Sequence, residues 1–199
     1  MKRQDYYYQK AKKENYRSRA IYKLKFIDEK FYIFKKGMNV LDLGASPGSW
    51  SQYAKEMVID GTVFSVDINN IRIEDVVKIR GDIFNDETIS QIEKEMENMN
   101  IKQFDIIMSD MSPKISGIKE IDHSISIDMA RRVFDISLKF LGEGGSLIIK
   151  IFKGQDLENF RKEIEKYFDF CVFTTPPASR KGSRETYLVC KRFSGKNKI

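Results

Sequence analysis

Apolar residues in this chain fall into short unbroken runs of strand length, separated by segments whose apolar positions keep helical spacing. Residues 16–34 predict a helix with Ala20, Leu24, Ile27 and Phe31 on one face, closed by Lys35, Lys36 and Gly37. Buried strands are expected at 39–43, 62–66, 76–80, 104–108 and 145–151. Between them, helices are expected at 50–58, 86–98 and 123–141, the last capped by Gly142, and a further helix at 157–167. Two closing strands, about 169–174 and 186–192, are joined by a polar loop with prolines and no helix. Strand–helix alternation implies right-handed crossovers and an α/β fold with a mostly parallel sheet. The missing helix before the last strand makes one of the closing pair antiparallel. No repeat or linker divides the pattern, so residues 1–199 are expected to form one domain.

Composition narrows the class. With 41% hydrophobic and 32% charged residues, the chain suits a globular protein with a sizeable core. No apolar run approaches the ~20 residues that span a bilayer, and the start lacks an apolar signal region. The expectation is an unsecreted protein without membrane association: cytoplasmic if bacterial, otherwise in an organelle matrix or the nucleus or nucleolus. Cys171 and Cys190 sit in apolar runs and read as reduced core thiols in adjacent strands. A single histidine leaves no basis for a zinc site or a serine–histidine triad, so no metal is expected.

Charge adds a partner. The net charge of +6 is concentrated at the ends: residues 1–36 carry twelve lysines and arginines against Asp5, Glu14, Asp28 and Glu29. A second basic cluster, including Arg180 and Arg184, lies near the C-terminus. Such patches suit a polyanion, although a solvated lysine-rich surface would have the same composition.

The candidate chemistry lies at strand ends. Asp110 and Lys150 each end an apolar run, where an unpaired charge is costly. The first strand runs into Gly44-Ala-Ser46-Pro-Gly48-Ser-Trp50 and then a helix, the place where doubly wound sheets bind ligands. Asp67 follows Gly48 by 19 residues, about the ~20 expected for a carboxylate on ribose hydroxyls. The loop fits neither the dinucleotide spacing nor a P-loop, which leaves a nucleoside ligand without phosphates, and S-adenosylmethionine is the commonest such cofactor. Asp82, after Gly81, suits an adenine amino group or alternatively a helix cap.

Five segments then carry a resemblance: 17–24, 40–53, Ser109-Asp-Met-Ser-Pro113, Ile149-Lys-Ile-Phe152 and 179–187. Together they resemble the FtsJ/RrmJ family of S-adenosylmethionine-dependent RNA ribose 2′-O-methyltransferases. That resemblance implies a Rossmann-like methyltransferase fold, a seven-stranded, mostly parallel sheet with one antiparallel strand near the C-terminus and helices on both faces. It implies a catalytic tetrad of Lys23, Asp110, Lys150 and Glu185, and cofactor contacts at Gly48, Trp50, Asp67, Asp82 and Asp110, with Gly44 and Ser46 in the same loop. Ser46 and Ser49 stand where the family often has Ala and Gly.

A ribose hydroxyl needs its proton withdrawn as it attacks a methyl group in line. An ordinary lysine titrates near ~10.4 and is a poor base at neutral pH. The expected division of labour is therefore Lys150 as base, with Lys23, Asp110 and Glu185 orienting it and balancing charge. Arg17, Arg19, Arg180 and Arg184 are the expected RNA phosphate ligands, with residues 1–36 as part of the RNA-binding face. The motifs look closest to the single-domain branch that acts on a uridine in the A-loop of large-subunit ribosomal RNA, and a monomer is expected. The anticodon loop of tRNA is the alternative target, and a non-catalytic RNA-binding module is the other rival. Family members usually carry a further basic stretch ahead of the position matching Asp5, which implies a trimmed or a naturally short start.

Overall fold

The computed structural model describes residues 6–180 and 182–195. Seven strands form one sheet: β1 (Val40–Leu43), β2 (Val63–Asp67), β3 (Val77–Arg80), β4 (Phe104–Ser109), β5 (Leu141–Phe152), β6 (Phe168–Thr174) and β7 (Glu185–Phe193). Their order is β3-β2-β1-β4-β5-β7-β6. The pairs from β3 through to β5 are parallel, whereas β7 runs antiparallel to both β5 and β6. This is the expected mostly parallel sheet with one reversed strand. Chain direction from β1 goes outward to β2 and β3, then returns to β4 on the other side. A crevice therefore opens at the carboxyl ends of β1 and β4.

The helices are α1 (Tyr6–Lys13), α2 (Ile21–Phe31), α3 (Ser49–Val58), α4 (Asp86–Asn98), α5 (Lys119–Phe140) and α6 (Leu157–Ile164), the last followed by a 3₁₀ turn, Glu165–Tyr167. Strand alternation divides the core between two faces. Leu41 and Leu43 pack on the face covered by Ile92, Phe134 and Phe160 of α4, α5 and α6. Val40, Ile106, Met108 and Ile148 face Leu24, Ile27 and Ala54 of α2 and α3. Among the described residues no helix is long and apolar enough to cross a membrane.

Three features differ from the sequence reading. The helix expected over 16–34 is shorter and has a separate neighbour in α1. Asn15 adopts a left-handed conformation (φ 59°), and Tyr16 N–H bonds back to Ala11 at 2.8 Å, ending α1. The Ser18 hydroxyl then accepts the Ala20 N–H at 3.2 Å before α2 begins. Gly142 does not cap α5: the chain passes at Leu141 directly into β5, whose glycines lie within the strand. Cys171 and Cys190 do lie in adjacent strands, but as opposed residues joined in a disulfide rather than as two reduced thiols. Their direct cross-strand register brings the sulfurs together.

Candidate active site

The loop after β1 is shaped by two glycines at positive φ where any side chain would crowd a neighbour. Gly44 (φ +75°) lies so close to Met111 that an added Cβ would sit 1.9 Å from its Cγ. Gly48 (φ +109°) is pressed by Ile73, whose Cδ1 would be 2.3 Å from such a Cβ, and by Arg17. The Ser46–Pro47 bond between them is cis. These close approaches hold the loop open over a cavity of about 630 Å³, lined among others by Gly44, Ser46, Asp67, Asp82 and Asp110.

Asp67 ends β2 with its carboxylate largely engaged. Ser46 N–H donates to Oδ2 at 2.9 Å, and the backbone and side-chain N–H groups of Asn69 donate to Oδ1 at 2.7 and 3.0 Å. A carboxylate offers about four acceptor sites, so roughly one remains toward the cavity. Asp82 is exposed and accepts the Phe84 N–H at 3.0 Å. It folds its own turn and does not cap α4, whose cap position is Asn85. Ile68, Phe84, Ile125 and Met129 give the same cavity apolar walls. Gly48 and Trp50 stand apart from that wall. Gly48 shapes the loop from behind, and Trp50 lines a smaller recess of about 30 Å³ together with Asp42, Ala45 and Asp110. Asp110 lines both spaces.

The four strand-end and helix residues come together as two ion pairs. Lys150 Nζ lies 3.1 Å from Asp110 Oδ1 and donates to the Asp110 carbonyl at 2.6 Å. Lys23 Nζ, on α2, lies 2.8 Å from Glu185 Oε1 at the start of β7. Both lysines and Glu185 are buried, and Asp110 is half-buried. Glu185 thus pairs with Lys23 and not with its chain neighbour Arg184.

Tyr187 joins the two pairs, a role the sequence reading missed. Its hydroxyl donates to Asp110 Oδ1 at 2.7 Å, and Lys23 Nζ lies 5.7 Å from its ring centroid. Its register partner on β5 is Lys150. Burial, followed by the negative charges of Asp110 and Glu185, pushes the Tyr187 phenol well above its usual range, so it stays a donor. The signal was available: Tyr187 follows Glu185 by two residues in a strand and so shares its face. Trp50 stacks 5.8 Å from the same ring and donates its indole N–H to the Ala20 carbonyl at 2.9 Å, tying α3 to the start of α2.

Asp42 was also missed. It is fully buried in β1, accepts the Ser51 hydroxyl at 2.5 Å through Oδ2, and leaves Oδ1 without a partner among the described residues. Burial pushes its carboxyl up to about 7, against the Ser51 hydrogen bond and with help from Asp110 and Asp67.

The four arginines expected at RNA are placed unequally. Arg19 donates to the Ala178 carbonyl at 2.6 Å, and burial with the nearby Arg180 charge holds its guanidinium below its usual range. Arg184 donates to the Lys119 carbonyl at 2.9 Å, sits 3.7 Å from Asp122 and covers the Phe152 ring. Both help to fix the loops around the ion pairs. Arg17 and Arg180 are exposed.

A family model described as FtsJ-like methyltransferase matches residues 16–193, spanning every element of the sheet. The chain belongs to the FtsJ-like methyltransferase family. Among curated relatives, a protein from Archaeoglobus fulgidus named ribosomal RNA large subunit methyltransferase E is 47% identical over 192 residues, covering 96% of this chain and 97% of that one. The protein of the same name from Coxiella burnetii is 41% identical, covering 97% and 92%. The crystal structure of a putative ribosomal RNA methyltransferase from Plasmodium falciparum superposes with a TM-score of 0.81 at 32% identity, over 91% of this chain and all of that one. A Methanococcus jannaschii fibrillarin pre-rRNA processing protein shares the fold at 17% identity and a TM-score of 0.54, over 80% of this chain and 68% of that one. For this FtsJ-like methyltransferase, the paired lysines and the glycine loop therefore sit in the segments that the family model covers.

Proposed function

We propose that this FtsJ-like methyltransferase moves a methyl group from S-adenosylmethionine to a ribose 2′-hydroxyl of large-subunit ribosomal RNA, most specifically a uridine of the A-loop. The observation that carries the reading is Asp110, which lines the cavity under the glycine loop and also holds Lys150 at 3.1 Å. One residue thus joins a nucleoside-sized space to a candidate base. The names of the curated relatives support the ribosomal target.

The residues present fit the cofactor. Asp67 keeps an acceptor site toward the cavity, Asp82 presents an exposed carboxylate, and the apolar walls from Phe84, Ile125 and Met129 suit a purine. Asp42 and Asp110 line the small recess, and their carboxyl groups suit a cationic amino group. When bound, S-adenosylmethionine supplies an electrophilic methyl group. The protein has three tasks: to exclude water, to aim the hydroxyl in line and to take its proton. In this reading Lys150 Nζ takes the proton as the neutral amine, having first released to solvent the proton it carries in the ion pair with Asp110. Asp110 and the Tyr187 hydroxyl hold it in place, while the Lys23–Glu185 pair positions the ribose and balances charge.

The test is transfer of labelled methyl from S-adenosylmethionine to large ribosomal subunits, free rRNA and tRNA, followed by mapping of the modified ribose. Label on a large-subunit uridine is expected. Label confined to tRNA would replace the ribosomal target with the anticodon loop, and no label on any RNA would overturn the reading. Lys150→Ala is expected to bind the cofactor normally and to lose transfer; full activity in that variant would remove Lys150 as base.

A further inference from the structure

A second cavity, about 620 Å³, adjoins the cofactor loop through Arg17 and Ile73, the two side chains that crowd Gly48. Four segments build it: the end of α1 (Lys12), the α1–α2 connection (Asn15, Arg17), α3 (Gln52) and the β2–β3 loop (Arg72). Lys12, Arg17 and Arg72 are exposed and form no ion pair or side-chain hydrogen bond among the described residues. Glu74 is the one carboxylate in the lining. Of the acids nearby, Glu14 takes the Tyr22 hydroxyl and lies near Lys10 and Lys25, and Glu56 takes the hydroxyl of Tyr16, which itself lines the cavity. Three cations against one carboxylate in the lining leave a positive balance that attracts a phosphate.

The wall of the cavity is braced as well as charged. Gln52 Nε2 donates to the Asn15 carbonyl at 3.3 Å, which ties α3 to the α1–α2 connection across the cavity. A space within the roughly 300–1,000 Å³ of small-ligand sites, with three cations around it, has the size for a single nucleotide and the charge for its phosphate. The site is also continuous with the ion pairs. From Arg17 the chain passes through Ser18, whose hydroxyl lies 2.7 Å from that of Ser49, and Ala20, which accepts from Trp50, to Lys23 on α2.

We propose that this cavity holds one unpaired nucleotide of the substrate RNA flanking the target, its phosphate among Lys12, Arg17 and Arg72. The inference rests on the RNA methyltransferase reading above, and it adds Lys12 and Arg72 to the expected RNA contacts.

The experiment measures methyl transfer to large ribosomal subunits and transcribed large-subunit rRNA, with KM for RNA and its salt dependence, in wild type, Lys12→Ala and Arg72→Ala. Each lysine or arginine variant is expected to raise KM for RNA about five- to tenfold, with kcat and cofactor affinity within twofold of wild type. Each should also lower the slope of log affinity against log salt by about 0.7, as for one phosphate contact on a single strand. Lys166→Ala, a charge removed at the opposite edge of the sheet, should change neither. Wild-type KM and slope in both Lys12→Ala and Arg72→Ala, with the wild-type enzyme active, would overturn the subsite and leave the methyltransferase reading intact. An inactive wild type that binds no RNA would remove both. AMP binding that weakens in Arg72→Ala while KM for RNA stays unchanged would assign the cavity to a free nucleotide instead.

Discussion

At the scale of single residues, Asp42 and Tyr187 do opposite things with burial. Asp42 has one oxygen without a partner among the described residues, and its carboxyl is pushed up from 3.8 to about 7, chiefly by burial. In that window the folded protein keeps a proton that the unfolded chain has lost, so stability falls as pH rises from about 4 to 7 and then levels off. Asp42→Asn retains an acceptor for Ser51 and removes the titration. The expected result is a wild-type-minus-variant stability difference that declines over that window, by at most roughly 4 kcal/mol, in urea melts at a series of pH values. A difference independent of pH would mean that Asp42 is ionised throughout. Tyr187, by contrast, spends its hydroxyl on Asp110 at 2.7 Å. Tyr187→Phe leaves Asp110 to Lys150 alone, and loss of a hydrogen bond to a charged group is worth about 1.5–3 kcal/mol. If that bond positions Lys150, kcat falls about 10- to 100-fold with cofactor affinity unchanged. A loss of cofactor affinity at constant kcat would place Tyr187 in binding instead.

At the scale of elements, the loop from β1 to α3 is constrained at Gly44 and Gly48 alike, and at Gly48 a left-handed backbone and the Ile73 side chain act together. A Cβ there adds about 1–2 kcal/mol of backbone strain to about 1–3 kcal/mol of overpacking. Gly144 has the same backbone sign (φ +79°) but open space around it, so it shows the strain alone. Gly48→Ala is therefore expected to cost clearly more in denaturant melts than Gly144→Ala, which should lose about 1–2 kcal/mol. Equal losses would show that Ile73 simply moves aside. The strands were legible from sequence because those buried on both faces read as apolar runs, as in 40–43 and 104–109. The reversal of β7 followed from the missing crossover helix before it. The separation of α1 from α2 was not legible: it depends on Asn15 turning left-handed and on Ser18 bonding the Ala20 N–H, neither of which disturbs hydrophobic spacing. The glycines at 142–145 misled for a related reason. Glycine marks a helix end by convention, but here β5 starts at once and only Gly144 uses a positive φ.

At the scale of the whole molecule, the site was legible as a set of residues but not as an arrangement. Lys23, Asp110, Lys150 and Glu185 stand in separate segments, and only the β5–β7 register and the packing of α2 decide that Lys150 meets Asp110 while Lys23 meets Glu185. Tyr187, which links the pairs, belonged to the same strand face and could have been included on that ground. The proposed cofactor site joins loops from four strands around the crevice, so its ligand should stabilise the fold as a unit. A ligand that binds only the folded state adds RT ln(1 + [L]/Kd), about 2.7 kcal/mol at 100 times Kd. For a chain of 199 residues this corresponds to a rise in melting temperature of roughly 5–10 °C, at 2–4 °C per kcal/mol. S-adenosylmethionine is expected to produce that shift in wild type and in Lys150→Ala, whose ammonium lies beyond Asp110 from the cavity walls. Asp67→Ala removes the acceptor that the Ser46 N–H and Asn69 share, so it should melt lower without ligand and gain less than half of the wild-type shift with it. The shift, not the starting temperature, is the deciding quantity, because it cancels the structural cost of each substitution. A wild-type shift retained in Asp67→Ala would move the cofactor away from the end of β2, and a shift with NAD but none with S-adenosylmethionine would overturn the choice of cofactor.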